Sequence, residues 1–401
     1  MNILFLTIVS IPDIDEQSLY GDLLKTLKSH GHNVFVVTVR EKRDGSATEL
    51  KDSHGVQILS VATGNITKSG TIEKGLATLR LPYQFERAID AFFSDISFDL
   101  VIYPTPPTTL YGLVKKIKRL HNASTYLLLK DIFPQTSVDL GVLSKTGIKG
   151  LIYKYFKHTE KQTYLVSDYI GCMTKGCVQY LLEHERYLSK DRIEGNPNSL
   201  IPQPMRSVDP DAFLCKYGIP RKEKLFVYGG NLGVAQCIDF LISCLMLNEE
   251  APTGHFVIAG SGTDREKLER MFRENRMKHA TLLPQLMRQE FDDLLNVCDV
   301  GVVLLDPRFT IPNCPSRCLS YMQASLPMLF ATDAACDFAN TAVENGFGMK
   351  CSSDNPEAFM EKCRQIELRD LKDMGAKARA YFQQNCSTEI SYGKMVSHFD
   401  E

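Results

Sequence analysis

The first 171 residues contain no cysteine; all 12 cysteines lie from Cys172 onward. None forms a Cys-x-x-Cys pair, and Cys172/Cys177 and Cys314/Cys318 have no second pair nearby at structural-zinc spacing. Cys237, Cys244 and Cys298 sit inside apolar runs, the pattern of reduced core thiols in a cytosolic protein. A secretory leader is not expected, because "MNILFLTIVS" is a short apolar run and Asp13, Asp15 and Glu16 follow at once. No stretch approaches the roughly 20 apolar residues of a membrane span, so a soluble protein, or one resting on a membrane surface, is expected. Neither sign of charge dominates: 46 Lys and Arg against 48 Asp and Glu leave a net −2. That balance argues against nucleic acid as the main partner.

The chain does have length and periodicity. Its 401 residues, 44% hydrophobic, suit two domains of roughly 150 residues or more, each with its own core. "NILFLTIVS", "VFVVTV", "DLVIYP", "STYLLLKD" and "DYIGCMT" read as buried strands with helical patterns between them. Residues 17–30 have helical apolar spacing, and 41–75 read as loop with some edge strand. "RIEGNPNSLIPQP" then brings Pro197, Pro202 and Pro204 with two asparagines and a glycine, a linker composition. The alternation restarts after it: "KLFVYGG", "HFVIAGSG", "ATLLPQL", "VGVVLL" and "PMLFAT". This predicts an α/β fold of two Rossmann-like, doubly wound parallel-sheet domains facing a cleft, an arrangement suited to joining two substrates. The expected domains are 1–200 and 201–385, with 386–401 able to cross back onto the first.

"LFVYGGNLGVAQCIDFL" carries a strand through glycines into a helix expected to begin near Val234. A glycine loop at a helix start can hold a diphosphate without any cation, though an ordinary βα turn also often contains glycine. "HFVIAGSGTDREKLERMF" repeats the design, with Thr263 or Asp264 as the expected cap. The two glycine stretches should therefore lie side by side at one sheet edge. Neither is a GxGxxG fingerprint nor a GxxxxGK[ST] loop, which disfavours a nicotinamide or flavin dehydrogenase and a phosphate-loop kinase.

The ordered set "HGHNVFVVT", "NPNSLI", "YGGNLGVAQCIDFL", "VIAGSG", "LLPQL…FDDLLNVCDVGVVLL" and "PSRCLSYMQASLPML" resembles the retaining GT-B glycosyltransferases of group 1 (family 4). The resemblance is nearest to their bacterial surface-polysaccharide branch, which includes N-acetylfucosamine-transferring O-antigen enzymes. It implies a nucleotide-sugar donor, UDP-sugar favoured, on the second domain and a lipid-linked saccharide acceptor on the first. By that resemblance Gly229, Gly230, Asn231, Gly233 and Gln236 meet the donor diphosphate. Gly260, Gly262, Pro284, Gln285, Leu286, Ser316 and Ser320 meet the nucleoside. Arg317 stands where the family's "Pro-Ser-Lys-x-x-Glu-Tyr" has lysine and can serve the phosphates as a charge-assisted donor.

Four positions depart from the family pattern. The glutamate that grips the ribose falls at Ser320, and the paired glutamate eight residues earlier falls at Pro312. Ser325 and Leu326 replace the glycine before Pro327. A serine can still hydrogen-bond a hydroxyl but gives up a charge-assisted bond worth roughly 1.5–3 kcal/mol. The Arg-Lys pair that other branches carry after the glycine loop is also missing; Asn231 and Gln236 stand in that region.

In the first domain "LLLKDIFPQ" puts Lys130, Asp131 and Phe133 at a strand end, resembling the branch's Asp-x-aromatic-Pro motif. Asp131 can orient a sugar or take the acceptor proton, or it can be a turn residue before Pro134. His30 and His32 read as a helix-ending turn, and His121 as exposed. No cofactor and no metal are expected beyond the donor, since Asp292-Asp293 lies in a helical pattern rather than a loop. Residues 111–161 carry ten basic side chains against Asp131, Asp139 and Glu160. Within them "KGLIYKYFKHTEK" interleaves lysine with Ile152, Tyr153, Tyr155 and Phe156. It can rest on anionic lipid at the cytoplasmic face of the inner membrane, or pack its aromatics inward with lysines in water. A non-catalytic subunit of the same fold and a nucleotide-sugar epimerase are the alternative functions.

Overall fold

The computed structural model describes residues 1–45, 47–66, 70–221 and 223–399. The sequence-predicted loop over 41–75 therefore falls partly outside the described residues, at 46 and 67–69. The chain separates into two units: Met1–Ile201 with the closing segment from Ser387, and Pro202–Cys386.

The first unit is built on strands β1 (Asn2–Leu6), β2 (Asn33–Glu41), β3 (Glu49–Ser53), β4 (Val56–Thr63), β5 (Leu100–Thr105), β6 (Ser124–Leu129), β7 (Tyr169–Cys172) and β8 (Ile193–Gly195). They form one sheet in the order β3-β4-β2-β1-β5-β6-β7-β8. Every neighbouring pair is parallel except β3 with β4. Parallel strands are covered on both faces, which is why β1, β5 and β6 read as continuous apolar runs. The stretch expected as loop with edge strand instead holds β4 as an interior strand between β2 and β3. Its apolar residues are diluted by Gln57 and Ser60, so it lacks the run that marks β1. The β3–β4 hairpin turns at His54 and Gly55, both at positive φ (54° and 80°), as a two-residue hairpin turn that follows the strand twist requires.

The closing helix Thr388–Val396 packs in this unit against the helix Leu19–Ser29. Thr26 Oγ1 donates to Thr388 Oγ1 at 2.7 Å, and His30 Nε2 lies 2.8 Å from Glu389. Buried His32 meets the Tyr392 hydroxyl at 2.9 Å. Met395 and Val396 join the core of Ile3, Phe5, Leu24, Val36 and Ile102. His30 and His32 thus do end a helix, and they also anchor this segment.

The second unit carries β9 (Leu225–Asn231), β10 (His255–Ser261), β11 (Ala280–Leu282), β12 (Val300–Leu304), β13 (Met328–Thr332) and β14 (Gly348–Ser352). All neighbours are parallel, in the order β11-β10-β9-β12-β13-β14. This is the 3-2-1-4-5-6 order of a doubly wound nucleotide-binding sheet. Phe226, Phe256, Ile258, Val302, Leu329 and Phe359 centre its core. β14, "GMKCS", has too few apolar residues to be expected from sequence. Among the described residues no helix is long and apolar enough to cross a membrane.

Candidate functional site

The strand order of the second unit reverses between β9 and β12, and ligands of open α/β sheets bind beyond the carboxyl ends at such a point. β9 and β10 stay in register to their tips, pairing Gly230 with Gly260 and Asn231 with Ser261. The two glycine stretches lie side by side, as their shared design predicted.

Their glycines serve different ends. A Cβ on Gly229 would lie 2.3 Å from the Phe291 ring. One on Gly260 would lie 1.9 Å from the Gly230 carbonyl, and one on Gly262 2.2 Å from the Leu232 carbonyl. These three let rings and neighbouring backbone close-pack. Gly230 is exposed, at φ +119°, and the nearest atoms to its missing Cβ belong to the Arg317 guanidinium, at 3.7 Å. Of these four glycines, Gly230 alone leaves the space that a ligand beside a cation would need.

The helix expected near Val234 begins four residues later. A single 3-10 turn, Val234–Gln236, leads to Cys237 at φ 50°, and the α-helix runs from Ile238 to Glu250. The left-handed Cys237 interrupts the helix that the apolar pattern suggested. Asn231 Nδ2 donates to Gln236 Oε1 at 2.6 Å, so these two candidates bridge the loop, and Gly233 is buried beneath them.

Arg317 opens the helix Arg317–Gln323, with exposed Ser316 at its N-cap position. Its guanidinium stands 4.4 Å from the centroid of the Tyr228 ring, whose hydroxyl donates to the Asn231 carbonyl at 2.6 Å. Arg317 Nη1 is buried and has no hydrogen-bond partner among the described residues. Leaving a buried donor unsatisfied costs about 1–3 kcal/mol, more when charged, so an anion or polar group beside Gly230 would find the Arg317 guanidinium a ready partner. Tyr321 ties this helix to the switch point: its hydroxyl accepts from Gly229 N at 2.9 Å and lies 3.2 Å from the Val302 carbonyl. Gly301 on β12 makes room for that ring, since a Cβ there would sit 2.5 Å from it. Half-buried Ser320, one turn on from Arg317, takes no side-chain hydrogen bond among the described residues.

Pro284, Gln285 and Leu286 follow β11 without regular secondary structure, with Pro284 and Gln285 exposed. Arg265 fixes the ends of β10 and β11 below them, donating to the Gly260 and Leu283 carbonyls. The helix Arg265–Glu274 has Asp264 at its N-cap position without a side-chain cap bond. Sequence reasoning passed over Arg265, which reads as one charge of many on a surface helix. It also passed over Asp306 and Arg308, just beyond β12. Arg308 clamps both Asp306 oxygens at 2.8 and 2.7 Å, while Asp306 N donates to the Ala235 carbonyl at 2.9 Å. Burial alone would raise the Asp306 carboxyl, but Arg308 outweighs it and holds the pKa below the ordinary aspartate value. Asp306 is thus a charged, occupied brace of the glycine loop. Asp292 and Asp293 lie in the helix Arg288–Val297, paired with Arg288 and Arg206.

In the first unit, Lys130, Asp131 and Phe133 follow β6 and are half-buried. Thr136 Oγ1 donates to Asp131 Oδ1 at 2.6 Å, which gives Asp131 the turn role foreseen for it. Burial raises its pKa against the Thr136 and Ile132 hydrogen bonds, making it more basic than a surface aspartate. Phe133 meets Phe156 edge-on at 4.9 Å. His121, expected exposed, is half-buried, its Nδ1 3.5 Å from Phe98 N.

Two doubly wound units in one chain, the second with a cation-lined glycine loop at its switch point, define the GT-B fold, a fold of glycosyltransferases. Solved structures of that fold agree. The chain matches the sucrose-phosphate synthase of Thermosynechococcus elongatus at TM-score 0.77, with 14% identity, over 99% of this chain and 98% of that one. A trehalose-6-phosphate structure from E. coli, bound with UDP-2-fluoro glucose, matches at TM-score 0.71, with 11% identity, over 99% and 98%. No family model matches. Among curated proteins, WbjE of Pseudomonas aeruginosa, named as a glycosyltransferase, is 24% identical over 313 residues, 75% of this chain and 74% of its own length. WcaI of Escherichia coli (strain K12), named for colanic acid biosynthesis as a glycosyl transferase, is 22% identical over 299 residues, 71% of each. The chain is a distant homologue of these two glycosyltransferases.

Proposed function

We propose that this chain is a retaining, metal-independent transferase of bacterial surface-polysaccharide biosynthesis. It moves a hexosyl or N-acetylhexosaminyl group from a nucleotide-sugar, UDP-sugar favoured, to a saccharide carried on polyprenyl diphosphate. The observation that carries this reading is the unpartnered Nη1 of Arg317 beside the open face of Gly230. A guanidinium there neutralises charge that grows on a departing diphosphate, and its hydrogen bond strengthens as that charge develops. In the step, the bond between the sugar's anomeric carbon and the diphosphate oxygen breaks. The acceptor oxygen bonds that carbon on the same face. The acceptor proton passes to the departing phosphate, and nucleoside diphosphate leaves. Asp131, made more basic by burial, is the acceptor-side candidate for orienting the hydroxyl.

Calorimetry of the full chain with UDP, GDP, CMP and dTDP, with chelator present, tests the donor half. Specific binding of one nucleotide that Gly230→Trp abolishes is the expected result. No binding by any of them would overturn the reading. Ser320, neutral and without a side-chain hydrogen bond among the described residues, favours one second reading: a sugar-binding, non-catalytic subunit, which would bind nucleotide-sugar yet transfer nothing to any acceptor. An epimerase would instead convert donor with no acceptor present.

A further inference from the structure

The helix Gly147–Val166 turns its amphipathicity inside out. Thr159, Glu160 and Thr163 are buried, while Ile148, Leu151, Ile152 and Tyr155 are 83%, 68%, 45% and 44% exposed. Those four fall at i, i+3, i+4 and i+7, one stripe about 100° wide along the first two turns. Val142, in the loop that leads into the helix, is exposed as well. Helix packing explains the burial of the other side. Gly150 sits against the Lys145 carbonyl, where a Cβ would come within 2.8 Å, and Thr159 bonds the Thr108 hydroxyl at 2.7 Å. Nothing equivalent covers the apolar stripe among the described residues.

Charge around the stripe has one sign. At 100° per residue, Lys149 and Lys154 fall on its two flanks, and Lys145 precedes it. Among the described residues neither Lys149 nor Lys154 has an ion-pair partner. No carboxylate occurs between Asp139 and Glu160, and Glu160 is buried against Lys157 and Tyr164.

We propose that residues 142–155 form a docking surface for an anionic lipid bilayer. The stripe enters the acyl boundary and the flanking lysines meet the headgroups. A second copy is the poorer occupant, because a two-fold contact on this stripe would bring the lysine flanks toward each other. The inference does not rest on the donor site, and its test contains no nucleotide.

The full chain is co-sedimented with vesicles of phosphatidylcholine alone and of phosphatidylcholine with phosphatidylglycerol. Binding to the anionic vesicles, weakened by salt, is expected. Lys149→Ala and Lys154→Ala should each weaken it about fivefold. Ile148→Glu with Leu151→Glu should abolish it and leave the thermal melt in place, since both side chains are exposed. Equal binding to both vesicles, or binding that survives the double substitution, would overturn the proposal. So would a concentration-dependent dimer, seen in sedimentation velocity, that the double substitution dissolves.

Discussion

Replacing Arg317 by methionine separates what the guanidinium does for the fold from what it does for a ligand. Methionine keeps most of the apolar stem over Tyr228 and removes the charge and the orphaned Nη1. For the unliganded protein two effects oppose. Relief of a buried unsatisfied donor returns about 1–3 kcal/mol, and loss of the cation over the Tyr228 ring forfeits about 0.5–2 kcal/mol. The net runs from about −1 to about +2.5 kcal/mol, so the unliganded melt should fall by no more than a few degrees and is expected to stay near level or rise, an unusual outcome for a half-buried arginine. With ligand the balance reverses. A charge-assisted hydrogen bond worth about 1.5–3 kcal/mol weakens nucleoside diphosphate binding by about 10- to 150-fold when lost. At 100 times the native dissociation constant, ligand stabilises the parent by about 2.7 kcal/mol and the variant by only about 0.3–1.4 kcal/mol. Thermal scans with and without UDP, and calorimetric titration of both proteins, measure the two effects separately. A variant that melts well below the parent and binds UDP equally well would refute the reasoning, because Arg317 would then be a structural cation only.

Four further outcomes are expected. Ser325 holds φ 57° where the resembling family carries glycine, so Ser325→Gly should stabilise the second unit by about 1 kcal/mol, read as a higher urea midpoint. Gly229→Ala should destabilise it by about 1–3 kcal/mol through collision with Phe291 and leave nucleotide binding in place, whereas Gly230→Ala should both cost about 1–3 kcal/mol in backbone strain at φ +119° and weaken nucleotide binding; stability and binding titrations on both variants tell them apart. Asp131→Asn should lower kcat by up to about 100-fold through loss of the carboxylate that orients the acceptor hydroxyl, and single-turnover kinetics would show it; unchanged turnover with a lower melting temperature would leave only the turn role. Burial raises the Glu160 carboxyl to about 7, against the pull of Lys157 and Tyr164. Its folded pKa lies above the unfolded one, so its contribution is whole below about pH 4.5 and is lost as pH rises through about 7. Stability should thus fall across that window by at most about 3 kcal/mol from this group, and Glu160→Gln should flatten the profile in urea melts at pH 5 and 8.

The residues that made the fold legible are not those that make the site. Strands β1, β5, β6, β9 and β12 announce themselves because a parallel strand buried on both faces must be apolar without interruption. β4 and β14 escape the same reading because hydrogen bonding to a neighbour, not apolar density, holds a diluted strand in the sheet. The glycine stretches were legible as a place but not as a mechanism. Sequence cannot tell a glycine that admits a ring or a carbonyl, as at 229, 260 and 262, from one that opens a face, as at 230; each answer lies in what a Cβ would strike. Braces are harder still. Arg265 bonds two carbonyls that come together only when β10 and β11 pair, and Arg308 closes on Asp306 at the end of a strand. Neither leaves a trace in spacing or composition.

Arg317 stands between these cases. Its position was legible, because it stands where the resembling family's Pro-Ser-Lys-x-x-Glu-Tyr segment has lysine. Its charge state was never in question. What only the structure supplies is the unmet hydrogen bond, and that converts a family likeness into a physical demand. A protein that keeps a buried donor unsatisfied loses stability at that position unless something binds there. The same argument limits Ser320, a neutral hydroxyl that can be left to water at little cost. Donor affinity in this chain should therefore follow the diphosphate, through Arg317, more than the ribose. Uridine and UDP would measure it: the diphosphate should carry most of the binding free energy, and nearly equal affinities would mean that the grip lies on the nucleoside after all.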